Sequence, residues 1–149
     1  MIAVADCQGF TVGNRFYIRE LSLVSKDFIF NMEFDTGLRL AEMNKRDRTT
    51  VSFQKNNIHG LTLRPMGERP ASNCAGYILK SIIGDLEVGC KNDEMVKLLK
   101  AENIPFVYLD APKFSELRKK YPKPDCRHHF KDATCSLAKA YYLYNDVNK

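Results

Sequence analysis

Two cysteines and two histidines crowd into the stretch Cys126-Arg-His128-His129-Phe-Lys-Asp132-Ala-Thr-Cys135, which then runs straight into a helical pattern. Thiolate and imidazole donors this close together suit a tetrahedral zinc ion. That requirement constrains the fold more than any other feature. The rest of the chain can be read as supplying what this stretch lacks, more ligands and a sheet for the helix after Cys135 to lie on.

The cysteines also speak to the compartment. Cys7, Cys74, Cys90, Cys126 and Cys135 are odd in number and unevenly spaced, and the N-terminus Met-Ile-Ala-Val-Ala-Asp has neither a basic region nor a long apolar one. This favours reduced thiols in the cytoplasm or nucleus over a secreted disulfide framework. Cys7, Cys74 and Cys90 read as small buried hydrophobes. No apolar run approaches the ~20 residues of a membrane span, so no membrane partner is expected. At 149 residues, 44% of them hydrophobic, the chain is expected to form one domain over residues 1–149 with a real core.

Taken in order, Ile2 to Val12 alternates as a strand, Gly13-Asn14 supplies a turn, and Arg15 to Val24 and Phe28 to Phe34 read as two more strands. Leu38 to Met43 suggests a short helix, and Lys45-Arg46-Asp47-Arg48 a charged break. Residues 49–71 carry no clear period and are read as a long, loop-rich connection. A helix is expected from Ser72 or Asn73 through Ile83, ended by Gly84. Then follow a strand at Leu86 to Cys90, a helix at Asp93 to Glu102, a strand at Phe106 to Leu109, and a short helix from near Pro112 to about Tyr121. The last helix, roughly Ala133 to Asn145, turns Leu137, Ala140, Tyr141 and Tyr144 to one side. Three antiparallel strands followed by two parallel ones with a helical crossover predict an α/β fold of ribonuclease H-like order, a mixed five-stranded sheet flanked by helices.

Several short segments then resemble a family. Asp6-Cys-Gln8 opens the first strand, where DEDD-type exonucleases of this fold place an Asp-x-Glu pair. Arg19-Glu20-Leu-Ser-Leu23, Asn57-Ile-His59-Gly-Leu61, Cys126-x-x-His129 and Cys135-Ser-Leu-Ala-Lys-Ala140 resemble the Maelstrom domain, including uncharacterised arthropod and viral relatives. That domain is a ribonuclease H-like relative associated with small-RNA silencing. The resemblance implies structural zinc held by Glu20, His59, His129 and Cys135, with Cys126 as rival to Glu20 and His128 as rival to His129. A carboxylate, two imidazoles and a thiolate are all acceptable zinc donors. Outside the resemblance, Glu20 reads as a solvated or ion-paired strand residue and His59 as a loop histidine.

Nuclease chemistry with two magnesium or manganese ions needs several converging carboxylates. Asp6 is well placed, but its partner is the amide Gln8, so Asp6 and Asp110 are the weak remaining candidates, Asp110 because it ends a parallel strand. The net charge of +5 fits a polyanion. Its densest cluster, Arg118, Lys119, Lys120, Lys123 and Arg127, has Phe114 and Tyr121 among it, which points to single-stranded RNA or another nucleic acid. Lys45, Arg46 and Arg48, and Arg64 with Arg69, form smaller basic groups. The expected function is thus a zinc-stabilised domain binding single-stranded RNA, in or against RNA silencing. A protein-interaction scaffold on a degenerate nuclease fold, or a nuclease using Asp6 and Asp110, are the alternatives.

Overall fold

A computed structural model describes residues 1–122 and 135–149. Strands β1 (Ala3–Val12) and β2 (Arg15–Val24) form a hairpin whose two turn residues, Gly13 and Asn14, have φ of 55° and 64°. Both angles are positive, as a tight hairpin turn matched to the strand twist requires. β3 (Ile29–Glu33) adds antiparallel to β2 from Glu20↔Glu33 to Val24↔Ile29. β4 (Val88–Cys90) lies parallel to β1, and β5 (Val107–Tyr108) parallel to β4. The sheet order β3-β2-β1-β4-β5 is the expected ribonuclease H-like mixed sheet.

Helices cover both faces. Ala3, Ala5 and Cys7 of β1 pack with Leu79 and Ile83 of α2 (Ala75–Ile83) and with Met95 and Leu99 of α3 (Asp93–Ala101). On the other face Val4 packs with Leu117 of α4 (Phe114–Lys120) and with Leu137, Ala138, Ala140 and Leu143 of α5 (Ser136–Val147). β1 is therefore buried on both sides. The α5 helix buries a wider face than its period suggested: Tyr142 and Leu143 are fully covered, while Tyr141 and Tyr144 are half-buried.

The middle of the chain departs most from expectation. The charged group Lys45 to Arg48 is the first turn of a helix, α1 (Lys45–Gln54), and a π-helical turn, Lys55–His59, extends it to Gly60 at φ 71°. The expected helix at Leu38 to Met43 is only a 3₁₀ turn, Leu40–Glu42. The α1 helix escaped periodicity because it buries just Val51 and Gln54. What holds it is polar. The Asn44 side chain accepts the Asp47 N–H at 2.8 Å. The Gln54 amide donates to the Thr11 carbonyl at 3.0 Å and accepts the Thr11 N–H at 2.8 Å, acting as a strand partner for the edge of β1. Cys7 and Cys90 are buried as expected, but Cys74 is exposed because the 3₁₀ turn Ser72–Cys74 lies at the surface.

Candidate functional site

The sheet face beneath α5 carries a polar layer inside the core. Alternation sends Asp6 and Gln8 of β1 and Glu20 and Ser22 of β2 to this side. They sit opposite one another as Asp6↔Ser22 and Gln8↔Glu20, with Asn31 and Glu33 of β3 beyond. Polar groups this buried must be hydrogen-bonded to be tolerated. Asn31 Nδ2 donates to Ser22 Oγ at 2.8 Å, Ser22 and Ser136 share a hydroxyl contact of 2.8 Å, and the Ser136 hydroxyl donates to Glu20 Oε1. With the Ser136 proton committed to Glu20, Ser22 is the donor of the middle bond. The relay runs one way, Asn31 to Ser22 to Ser136 to Glu20, and ends on a carboxylate that is 0% exposed.

Three of the four implied zinc ligands belong to this face. Glu20 ends the relay. Cys135, adjacent to Ser136, is the N-cap of α5 and is 1% exposed. His59 is 1% exposed and meets Phe10 of β1 edge-on, with centroids 4.5 Å apart. His129, Cys126 and His128 lie outside the described residues, as do Lys123 and Arg127. Among the described residues no three His, Cys, Asp or Glu side chains form a metal-holding group.

In kind and burial these donors suit zinc, and Ser136 would be an apt outer support for a ligating carboxylate. His59 is the point of misfit. Its Nδ1 accepts the Leu61 N–H at 3.0 Å. A neutral ring that accepts at Nδ1 carries its proton on Nε2, whereas zinc at Nε2 needs that proton on Nδ1. Zinc at Nε2 therefore requires the Leu61 contact to give way.

Asp6 lies on the same face and is 2% exposed. Asn92, the N-cap of α3, donates to its Oδ1 at 2.9 Å and to the Cys7 carbonyl at 2.9 Å. Oδ2 is buried without a hydrogen-bond partner among the described residues. Burial raises the Asp6 pKa from 3.8 to about 6, opposed by the Lys139 charge and the Asn92 bond and aided by nearby Glu20. Asp110 is exposed beyond β5, and Asp35 is taken by Arg64, whose Nη2 lies 2.9 Å from Oδ2.

The Asp6 shift has a testable sign. An acid whose pKa is higher in the folded state adds stability below its unfolded pKa and loses it as pH rises through the folded value. Its contribution therefore disappears between pH 3.8 and about 6. At ~1.4 kcal/mol per pKa unit, the stability of Asp6→Asn relative to wild type should rise by about 2 kcal/mol between pH 4.5 and 7.5. Urea unfolding at both pH values checks this, and parallel profiles for the two proteins would contradict it.

The basic cluster is part of a wider surface. Arg118, Lys119 and Lys120 are exposed at the end of α4, with Lys120 Nζ 3.7 Å from Asp146 and 5.4 Å from the Tyr121 ring centre. Tyr121 is half-buried and bonds Asp146 through its hydroxyl at 3.2 Å. Lys91 and Lys139, which sequence reasoning missed, both lie over the Phe114 ring, 5.5 and 4.9 Å from its centre. Lys139 could have been suspected from its place one turn beyond Cys135. Nothing local marks Lys91, which reaches Phe114 only through the fold. Among the described residues no helix is long and apolar enough to cross a membrane. Neither the models of known protein families nor the curated proteins give a match to this chain.

Proposed function

We propose that this chain is a zinc-stabilised ribonuclease H-like domain of Maelstrom type that binds single-stranded RNA, in or against RNA silencing, in the cytoplasm or nucleus. The observation that carries the RNA reading is the cationic edge of α4 and α5. Arg118, Lys119 and Lys120 are exposed one turn beyond Phe114, a half-buried ring with Lys91 and Lys139 over it. Basic side chains take phosphates by releasing counterions.

Fluorescence anisotropy with a single-stranded RNA 20-mer tests it. Wild type should bind with strong salt dependence. Arg118→Glu with Lys119→Glu should weaken binding at least tenfold and flatten the slope of log K against log salt by about 1–2. An unchanged slope would remove this edge from the RNA path.

Zinc enters as support for the fold. Glu20, His59 and Cys135 are donors of the right kind buried on one sheet face, and zinc held there would tie β2, the end of the π turn and α5 together. Purified protein should carry one equivalent of zinc, and His59→Ala and Cys135→Ala should each lose the metal and melt at lower temperature. Metal-free wild type of full stability would remove zinc from the proposal.

A further inference from the structure

β2 is longer than its outer partner. It spans Arg15–Val24, but β3 pairs only with Glu20–Val24. The Phe34 N–H still reaches the Arg19 carbonyl at 2.9 Å, and there the chain turns away. Asp35 instead bridges in parallel to Ala71, its N–H bonding Pro70 O at 2.8 Å and its carbonyl accepting the Ser72 N–H at 3.0 Å. The outer edge of β2 has no strand partner over residues 15–18, although Ser72 bonds the Ile18 carbonyl and the Ile18 side chain is buried. A cleft of roughly 700 Å³ runs along it, lined by residues 14–18, by 35–37 and 71–73 of the diverted chain, and by α3.

Alternate residues of an antiparallel strand send their N–H and C=O to the same edge. Arg15 opposes Val12 across the two-residue turn and bonds inward to β1, so Phe16 and Ile18 are directed outward. The Ile18 carbonyl accepts the Ser72 hydroxyl from that outer side, in keeping with this parity. Among the described residues no other group off β1 bonds the Phe16 N–H, the Phe16 carbonyl or the Ile18 N–H. Main-chain groups in a row at strand spacing recognise one class of ligand, an extended polypeptide. A phosphate backbone suits the cleft poorly, because Asp35, Glu94 and Glu102 line it against Arg15 and Lys97.

We propose that this edge takes an extended peptide segment of a partner protein as an additional strand beside residues 15–18, in the place β3 vacates. Phe16, Leu98 and Ala101 offer apolar surface to alternate peptide side chains, and Glu102, whose carboxylate is not in an ion pair with Arg64 or Lys97 as Asp35 and Glu94 are, favours a lysine or arginine beside it. The site is separate from the α5 face and independent of RNA binding.

The test uses the full chain, isotope-labelled, with a pool of end-blocked hexapeptides that alternate Val, Ile, Leu or Phe with Lys, Ser or Thr. The amide resonances of Phe16 and Ile18 should shift saturably, and hydrogen exchange at Phe16 should slow at least tenfold. A matching pool N-methylated at alternate residues should not bind. Ala101→Trp, a change at an exposed helical position, should weaken peptide binding at least tenfold with an unchanged melting temperature. The proposal is overturned by shifts confined to other surfaces, by equal binding of the N-methylated pool, by no binding at millimolar peptide, or by self-association that covers residues 15–18 instead.

Discussion

Arg19→Ala is expected to destabilise the protein by about 2–3 kcal/mol, the upper range for losing hydrogen bonds to a charged group. Arg19 is 2% exposed although it is a charged residue near a sheet edge. It is the extra residue of a bulge, falling between the pairs Gly9↔Ile18 and Gln8↔Glu20. The bulge turns its side chain toward the loop after the π turn. Its Nε donates to the Thr62 carbonyl at 2.7 Å, and Nη1 meets Glu33 Oε1 at 3.0 Å. One guanidinium thus joins β2, β3 and the loop that follows His59. Without it the carbonyl of exposed Thr62 and the partly buried Glu33 carboxylate both lose a charged donor. Arg19→Lys should recover only part of the loss, since an ammonium cannot reproduce the planar fork. Urea unfolding measures both variants, and a loss below ~1 kcal/mol for Arg19→Ala would show that water replaces the guanidinium.

Gly9→Ala is expected to cost at least about 3 kcal/mol, at or beyond the upper end of ordinary overpacking. A Cβ at Gly9 would lie 2.1 Å from the Tyr17 carbonyl oxygen, 2.7 Å from Phe16 Cζ and 3.0 Å from Ile18 Cα. Two of these atoms are backbone of the paired strand, so no rotamer change relieves the clash and the hairpin must open. The contrast is Gly13→Ala, where φ is +55° and nothing lies within 4 Å. That change should cost only the ~1–2 kcal/mol of a left-handed alanine. Thermal melts of the two variants side by side separate close approach from backbone strain. If Gly13→Ala were the more damaging, the close approach of the two strands at Gly9 would be disproved.

Much of the architecture was legible because it is local. Alternation marked β1 and β2, Gly13-Asn14 marked their turn, and the spacing of Ile78, Leu79, Ile82 and Ile83 marked α2. The α1 helix was not legible, since its attachment is a side-chain amide that meets Thr11, 43 residues away. Of the candidate site, the sequence offered Glu20, His59, Cys135 and Asp6 by resemblance and residue type. It offered nothing for Ser22, Asn31, Asn92, Ser136 or Lys91, whose types are common and whose roles depend on what faces them.

By itself the sequence determined the order of the five strands and of the helices from α2 onward, the basic balance and the kinds of donor available, because these follow from periodicity and composition over a few residues. Only the tertiary structure decided which groups meet. Glu20 and Ser136 are 116 residues apart, yet they share a buried hydrogen bond once α5 crosses the face of β2. Asp6 and Asn92 are 86 apart and meet because β4 ends beside β1. The unpaired edge of β2 exists only because Asp35 pairs with Ala71 instead of continuing β3. A hydrogen bond acts over about 3 Å, and the separations that bring such groups within that reach are set by packing rather than by local propensity.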